Sequence, residues 1–226
     1  MINSPLDITW HTGFVALWLV LVGGLSEGAR RLGYSPETTR KIVHIGAGHV
    51  ILFAWWLAIP MWIGVVASVL FAGVALVSYR LPILPGINSV GRKSLGTFFY
   101  ALSIGVVMGW FWPLQQPFYG VIGILIMCWG DGLAALVGQR WGRHPYQLLS
   151  EKKSWEGSLT MLVVSFGVTA AVLVPLQGMG WQTWAVAGCV AIAATLLEAF
   201  SKLGIDNLSV PVGAAAIAFG LNSLWL

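Results

Sequence analysis

Residues 118–139, FYGVIGILIMCWGDGLAALVGQ, decide the fold. Apolar side chains fill the stretch on every side. It is long enough to cross a hydrocarbon core, which takes roughly 20 helical residues. One ionisable residue interrupts it. Asp131 stands between Gly130 and Gly132, nine residues before Arg140. That places it roughly 13 Å along a helix from the arginine, at about 1.5 Å per residue. An unpartnered carboxylate at such a depth costs at least about 3 kcal/mol. Its glycine neighbours admit close approach by a ligand or another backbone. A metal or proton role accounts for the carboxylate. A buried Asp that pins helix packing through a hydrogen bond is the plainer alternative.

Seven further stretches share this apolar character, at about 10–28, 43–59, 61–78, 95–112, 157–175, 181–200 and 210–225. Turns are marked by Pro60, by Pro113 with Pro117, and by Pro175 to Gly180. The expectation is an all-α integral membrane bundle of about eight transmembrane helices, forming one polytopic domain over 1–226. Composition agrees: 58% of residues are hydrophobic and 9% charged, against roughly 25% charged in a soluble domain. The N-terminal MINSPLDITW lacks the positive region of a secretory signal, so the first apolar stretch reads as a retained span. Cys128 and Cys189 both lie inside apolar segments, which argues against a disulfide framework or a zinc site.

All 12 basic residues fall in alternate loops, near 29–42, 79–95, 139–157 and 200–209. The first holds Arg30, Arg31, Arg40 and Lys41. The second holds Arg80, Arg92 and Lys93. The third holds Arg140, Arg143, Lys152 and Lys153, and the last Lys202. Positive charge collects in cytoplasmic loops, so these loops are expected in the cytosol and both termini on the other side. Tryptophans 10, 55, 56, 62, 110, 112, 181, 184 and 225 sit at the opposite, uncharged ends, as the aromatic belt requires. The net charge of +4 is thereby explained by topology, without nucleic acid as a partner. Glu27, Glu37, Asp131, Glu151, Glu156, Glu198 and Asp206 also lie toward the basic side, and only Asp7 lies away from it. A passive bundle has no need to gather its ionisable groups on one surface.

Several of these groups suit phosphate chemistry. In LLSEKKSWEGS, Lys152, Lys153 and Ser154 are donors beside a helix start, with Glu156 and Gly157 following. Topology charge and simple N-capping are the plainer readings of that loop. GINSVGRKS, 86–94, approximates a P-loop but carries one residue too many before its lysine, and it joins two membrane helices. Arg92 remains a candidate phosphate ligand or a topology charge. His44, at the cytosolic end of its span, is a candidate proton carrier or phosphate donor. It lies about 140° around the helix from His49, so the two cannot share a metal on a regular helix. Glu198 and Asp206, with Asp131, offer hard oxygens for Mg²⁺, which keeps waters and substrate phosphates in its shell. The modest alternative pairs Glu198 with Lys202 at i, i+4.

Taken in order, RKIVH (40–44), RKSLGT (92–97), GDGLAALVGQRWGR (130–143), KKSWEGS (152–158), and Glu198 followed by DNLSVP (206–211) resemble the polyprenol kinase family, which includes the dolichol and phytol kinases. The short chain is closer to the phytol kinase branch. The resemblance implies a membrane enzyme that uses CTP and Mg²⁺ to phosphorylate a long-chain isoprenoid alcohol at the cytosolic face. It implies metal-binding or base roles for Asp131, Glu198 and Asp206, and phosphate contacts from Lys152, Lys153, Arg92 and Arg143. Arg40, Lys41 and His44 are expected on the same surface. The related CDP-diacylglycerol synthases carry a late HGG signature, whereas this chain has no histidine after His144. A CDP-lipid-forming cytidylyltransferase and a membrane transporter are the alternatives. No repeat relates the two halves, and a through-path needs polar groups at all depths.

Overall fold

The computed structural model describes residues 5–81, 95–148 and 151–225. Ten helices and one short hairpin make up these residues: α1 (Pro5–Arg31), α2 (Pro36–Gly48), α3 (Val50–Trp56), α4 (Met61–Ser78), α5 (Gly96–Phe111), α6 (Pro117–Leu125), α7 (Gly132–Trp141), β1 (Pro145–Leu148), β2 (Glu151–Ser154), α8 (Trp155–Gln177), α9 (Trp181–Ala199) and α10 (Asp206–Trp225). A π-helical turn, Ile126–Asp131, joins α6 to α7 into one continuous rod.

That rod is the centre of the bundle. Val121, Ile122, Ile124, Ile126, Met127 and Cys128 are fully buried, which is why its sequence shows no polar face. Around it pack α10, α5, α8 and α2. Close crossings depend on small residues. A Cβ on Gly123 would lie 2.1 Å from the Pro211 carbonyl oxygen of α10, and one on Gly130 would lie 2.6 Å from Met161 Sδ of α8. Small residues at such crossings are the usual means by which helices associate in lipid. The outer helices present large apolar side chains outward, among them Trp10, Leu17 and Val20 of α1 and Val69 and Leu70 of α4. Lipid is the solvent that such a surface suits.

Among the described residues six helices are long and apolar enough to cross a membrane. The two other expected spans take different forms. The 43–59 stretch is split at His49 into α2 and α3. Gly46 and Gly48 weaken the helix there, and the Gly46 carbonyl accepts both the Trp18 indole N–H (2.8 Å) and the His49 amide (3.3 Å). The 95–112 stretch forms the sixteen-residue α5.

Two element boundaries move. The turn expected to start at Pro175 begins later, because α8 runs through Pro175 to Gln177 and stops at Gly178, whose φ is 81°. A proline removes one N–H from the ladder, and a spanning helix tolerates that. Likewise α10 begins at Asp206 and passes through Pro211. The all-α expectation also omitted the β1–β2 hairpin, which pairs Pro145 with Ser154 and Leu148 with Glu151 in antiparallel register.

Candidate active site

The π-turn determines where Asp131 points. It adds a residue within one turn and delivers the carboxylate to α2. There Lys41 Nζ lies 2.5 Å from Asp131 Oδ2 and 3.2 Å from the Asp131 carbonyl oxygen. Lys41 is only 2% exposed, so its ammonium depends on these two acceptors. His44, one turn further along α2, places Nε2 at 3.4 Å from the same Oδ2 and 3.2 Å from the Met127 carbonyl oxygen. A carbonyl only accepts, so Nε2 carries the hydrogen. Tyr100 of α5 stacks on His44 at 4.4 Å and donates from its hydroxyl to the His44 carbonyl oxygen at 3.0 Å. Arg40 is held by Glu37 at 2.6 Å on the same helix.

Two loops bring the rest of the cluster to this end of the bundle. Leu203 and Gly204 adopt positive φ (59° and 84°) and turn the chain from α9 into α10. The Leu95 amide, at the start of α5, donates to the Leu203 carbonyl at 3.1 Å. Asp206 opens α10, where its Oδ1 accepts from the Asn207 amide (3.0 Å) and Asn207 Nδ2 (3.1 Å). The Asp206 carboxylate is within electrostatic reach of Asp131, Lys41 and Lys153. Glu198, at the end of α9, is bound by Lys153 through both its carboxylate and its carbonyl. Lys153 is thus the partner of Glu198, in place of the Lys202 offered as the i, i+4 alternative.

The hairpin explains why adjacent lysines diverge. Successive residues of a strand point to opposite faces. Lys153 on β2 turns in toward α9, and Lys152 is exposed. Ser154 caps α8 by accepting from the Gly157 amide at 3.2 Å. Glu156 lies outside the ionic cluster and fastens the hairpin instead. It accepts from the Arg143 amide (3.1 Å) and from His144 Nδ1 (2.7 Å). The Arg143 side chain is exposed. Arg92 and Lys93 lie outside the described residues. His49 accepts from the Trp129 indole at 3.3 Å and meets the Ile45 carbonyl, a packing arrangement.

Among the described residues no three His, Cys, Asp or Glu side chains enclose a metal ion by themselves. The carboxylates still suit a hard cation. Asp131, Glu198 and Asp206 each engage one oxygen with the protein, leaving Asp131 Oδ1, Glu198 Oε2 and Asp206 Oδ2 without a hydrogen-bond partner among the described residues. Mg²⁺ typically takes one or two carboxylates and completes its shell with water and phosphate.

This chain is 57% identical to the phytol kinase of Synechocystis over 227 aligned residues, covering 99% of this chain and 97% of that one. It belongs to the phytol kinase family. Phytol kinase 1, chloroplastic, of Arabidopsis thaliana is 31% identical across 88% of this chain and 72% of its own length. The probable phytol kinase 1, chloroplastic, of Oryza sativa is 30% identical across 86% of this chain and 68% of its own. No family profile matches the chain, and no solved structure matches it. Within this phytol kinase fold, sequence reasoning had passed over Tyr100. Its position three residues after Thr97, on the helix that RKSLGT opens, was the available signal.

Proposed function

We propose that the chain transfers the γ-phosphoryl group of CTP to the hydroxyl of phytol or a similar prenol, at the cytosolic face of a membrane. The observation that carries this reading is the meeting of RKIVH, GDG, KKS and DNLSVP residues around Asp131, in a chain so similar to a phytol kinase. CTP as donor rests on the resemblance to the polyprenol kinases. In this reading the α2–α3 pair and α5 cross the membrane beside the six long helices, which would make eight crossings of one polytopic domain with both termini on the non-cytosolic side and the basic loops in the cytosol.

In the reaction the alcohol oxygen bonds to the γ-phosphorus as the bond from that phosphorus to the β-phosphate oxygen breaks. CDP leaves, and the hydroxyl proton goes to the His44–Asp131 pair. Phosphoryl transfer demands chiefly alignment and neutralisation of charge. One or two of the carboxylates Asp131, Glu198 and Asp206, completed by water and phosphate oxygens, would hold Mg²⁺, which would supply neutralisation of the phosphate oxygens. Lys152, Lys153, Arg143 and Arg40 would attract the triphosphate, with Arg92 expected to join them, whereas Lys41, expected from sequence on that surface, is buried against Asp131. Lys41 fixes the Asp131 carboxylate. Ser154 and Glu156 shape the hairpin that presents the lysines.

The test is a transfer assay with purified protein, CTP labelled at the γ- or α-phosphate, and a panel of prenols together with diacylglycerol. The expected result is γ-label on phytol with release of CDP. Transfer of α-label with release of pyrophosphate would instead establish a cytidylyltransferase. A strict requirement for ATP would overturn the proposed donor. Stabilisation by CTP with Mg²⁺ in a thermal-shift measurement separates a kinase from a plain transporter.

A further inference from the structure

A small cavity of about 60 Å³ lies against the ionic cluster, between α2, α4, α5 and the start of α10. Its two ends differ. Arg40, His44, Thr97, Tyr100 and Asn207 form a polar end, and His44 there is the residue that touches Asp131. Val43, Ala47 and Phe71 form an apolar end. Phe71 is 46% exposed, on a face where its neighbours Leu70 and Val74 are exposed as well. The apolar end therefore meets the lipid-facing surface of α4, a helix whose main packing partner among the described residues is α5.

We infer that the alcohol enters sideways from the bilayer between α2 and α4, and that the protein encloses only its hydroxyl end. This rests on the kinase reading above. The polarity gradient matches a primary isoprenoid alcohol. Its hydroxyl meets His44 and Arg40, its first carbons meet Val43 and Ala47, and its tail leaves past Phe71 into lipid. Size points the same way, since pockets that engulf a drug-sized ligand hold roughly 300–1,000 Å³. A larger cleft of about 400 Å³ runs between α3, α6 and α8. It is lined by residues such as Leu52, Trp56, Val172 and Pro175, and no ionisable side chain borders it. Its Trp129 indole is already bound to His49. A hydroxyl lodged there has no charged group to react beside. Recognition by the cavity is thus expected at the hydroxyl end, with tail length left largely unread.

The experiment uses full-length protein in detergent, with geraniol, farnesol, geranylgeraniol, phytol and a long polyprenol supplied at matched mole fractions. From geranylgeraniol upward kcat/KM should stay within about threefold, and Phe71→Trp or Ala47→Phe should raise the KM for every alcohol about tenfold with the KM for CTP unchanged. A steep fall for the long polyprenol, or wild-type alcohol KM in both folded variants, overturns the inference. A diazirine-bearing geranylgeraniol gives a second readout independent of turnover. Adducts on α2 and α4 support the entry route even if no phosphate is transferred, in which case the kinase reading alone fails. Adducts confined to the α3–α8 cleft overturn the route even in an active kinase.

Discussion

Lys41 and Asp131 are 90 positions apart in sequence, yet their side chains form a 2.5 Å ion pair with the lysine almost completely enclosed. Breaking one half of a buried pair leaves a charge without compensation and costs about 3–5 kcal/mol. Lys41→Met and Asp131→Asn should each destabilise by about that amount, and the double variant by clearly less than their sum. Unfolding of the four proteins in a common detergent measures the coupling. Simple additivity would show that the pair is not a unit.

Turnover separates the two partners further. Asp131→Asn keeps the shape of the side chain and removes the charge proposed to act in transfer. Its kcat should fall by at least about a hundredfold with the KM for phytol little changed, as for an interaction made mainly in the transition state. Near-wild-type turnover would remove Asp131 from the chemistry.

Glu156 is the clasp of the hairpin, and it lies outside the ionic cluster. Glu156→Ala should loosen the 145–154 hairpin and raise the KM for CTP several-fold, while kcat at saturating CTP stays within about twofold. Limited proteolysis should show faster cutting near the hairpin. A collapse of kcat would place Glu156 in the reaction itself.

The proposed role of Mg²⁺ rests on carboxylates that each keep one unengaged oxygen among the described residues. A chelator should abolish transfer without unfolding the protein, and added Mg²⁺ should restore it. Far-UV circular dichroism recorded alongside the assay checks both points. Full activity in excess chelator would dismiss the metal role.

Gly123 tests the central crossing. An added methyl would lie 2.1 Å from the Pro211 carbonyl oxygen, whereas one on Gly13 meets nothing within 4 Å. Gly123→Ala should destabilise by about 1–3 kcal/mol through overpacking. Gly13→Ala should be neutral or slightly stabilising, since alanine favours helix. Equal melting temperatures for the two would contradict the crossing.

The sequence made some of this legible for definite reasons. Asp131 was conspicuous because a carboxylate in an apolar run has no inexpensive explanation. The spans were conspicuous because lipid selects long apolar helices. Lys41 was harder to read. From sequence it was a basic loop residue expected on the phosphate-facing surface, and nothing local reveals an acceptor so far along the chain. The partner of Glu198 was hidden for the same reason, since the alternative weighed, Lys202, lies at helical spacing while Lys153 comes from a strand. Four-residue strands containing EKKS carry little β-pattern, so the hairpin was invisible. The π-turn was equally hidden, because an apolar helix buried on every side has no periodicity to interrupt.

That π-turn has a consequence for insertions and deletions. Residues before Ile126 and after Asp131 keep two different angular phases about a single axis, one serving the grip on α10 and the other the grip on α8. Removing one residue from 126–131 would bring both halves into phase and swing Asp131 away from α2. In this stretch the number of residues matters as much as their identity, so that length change is expected to be far rarer than substitution.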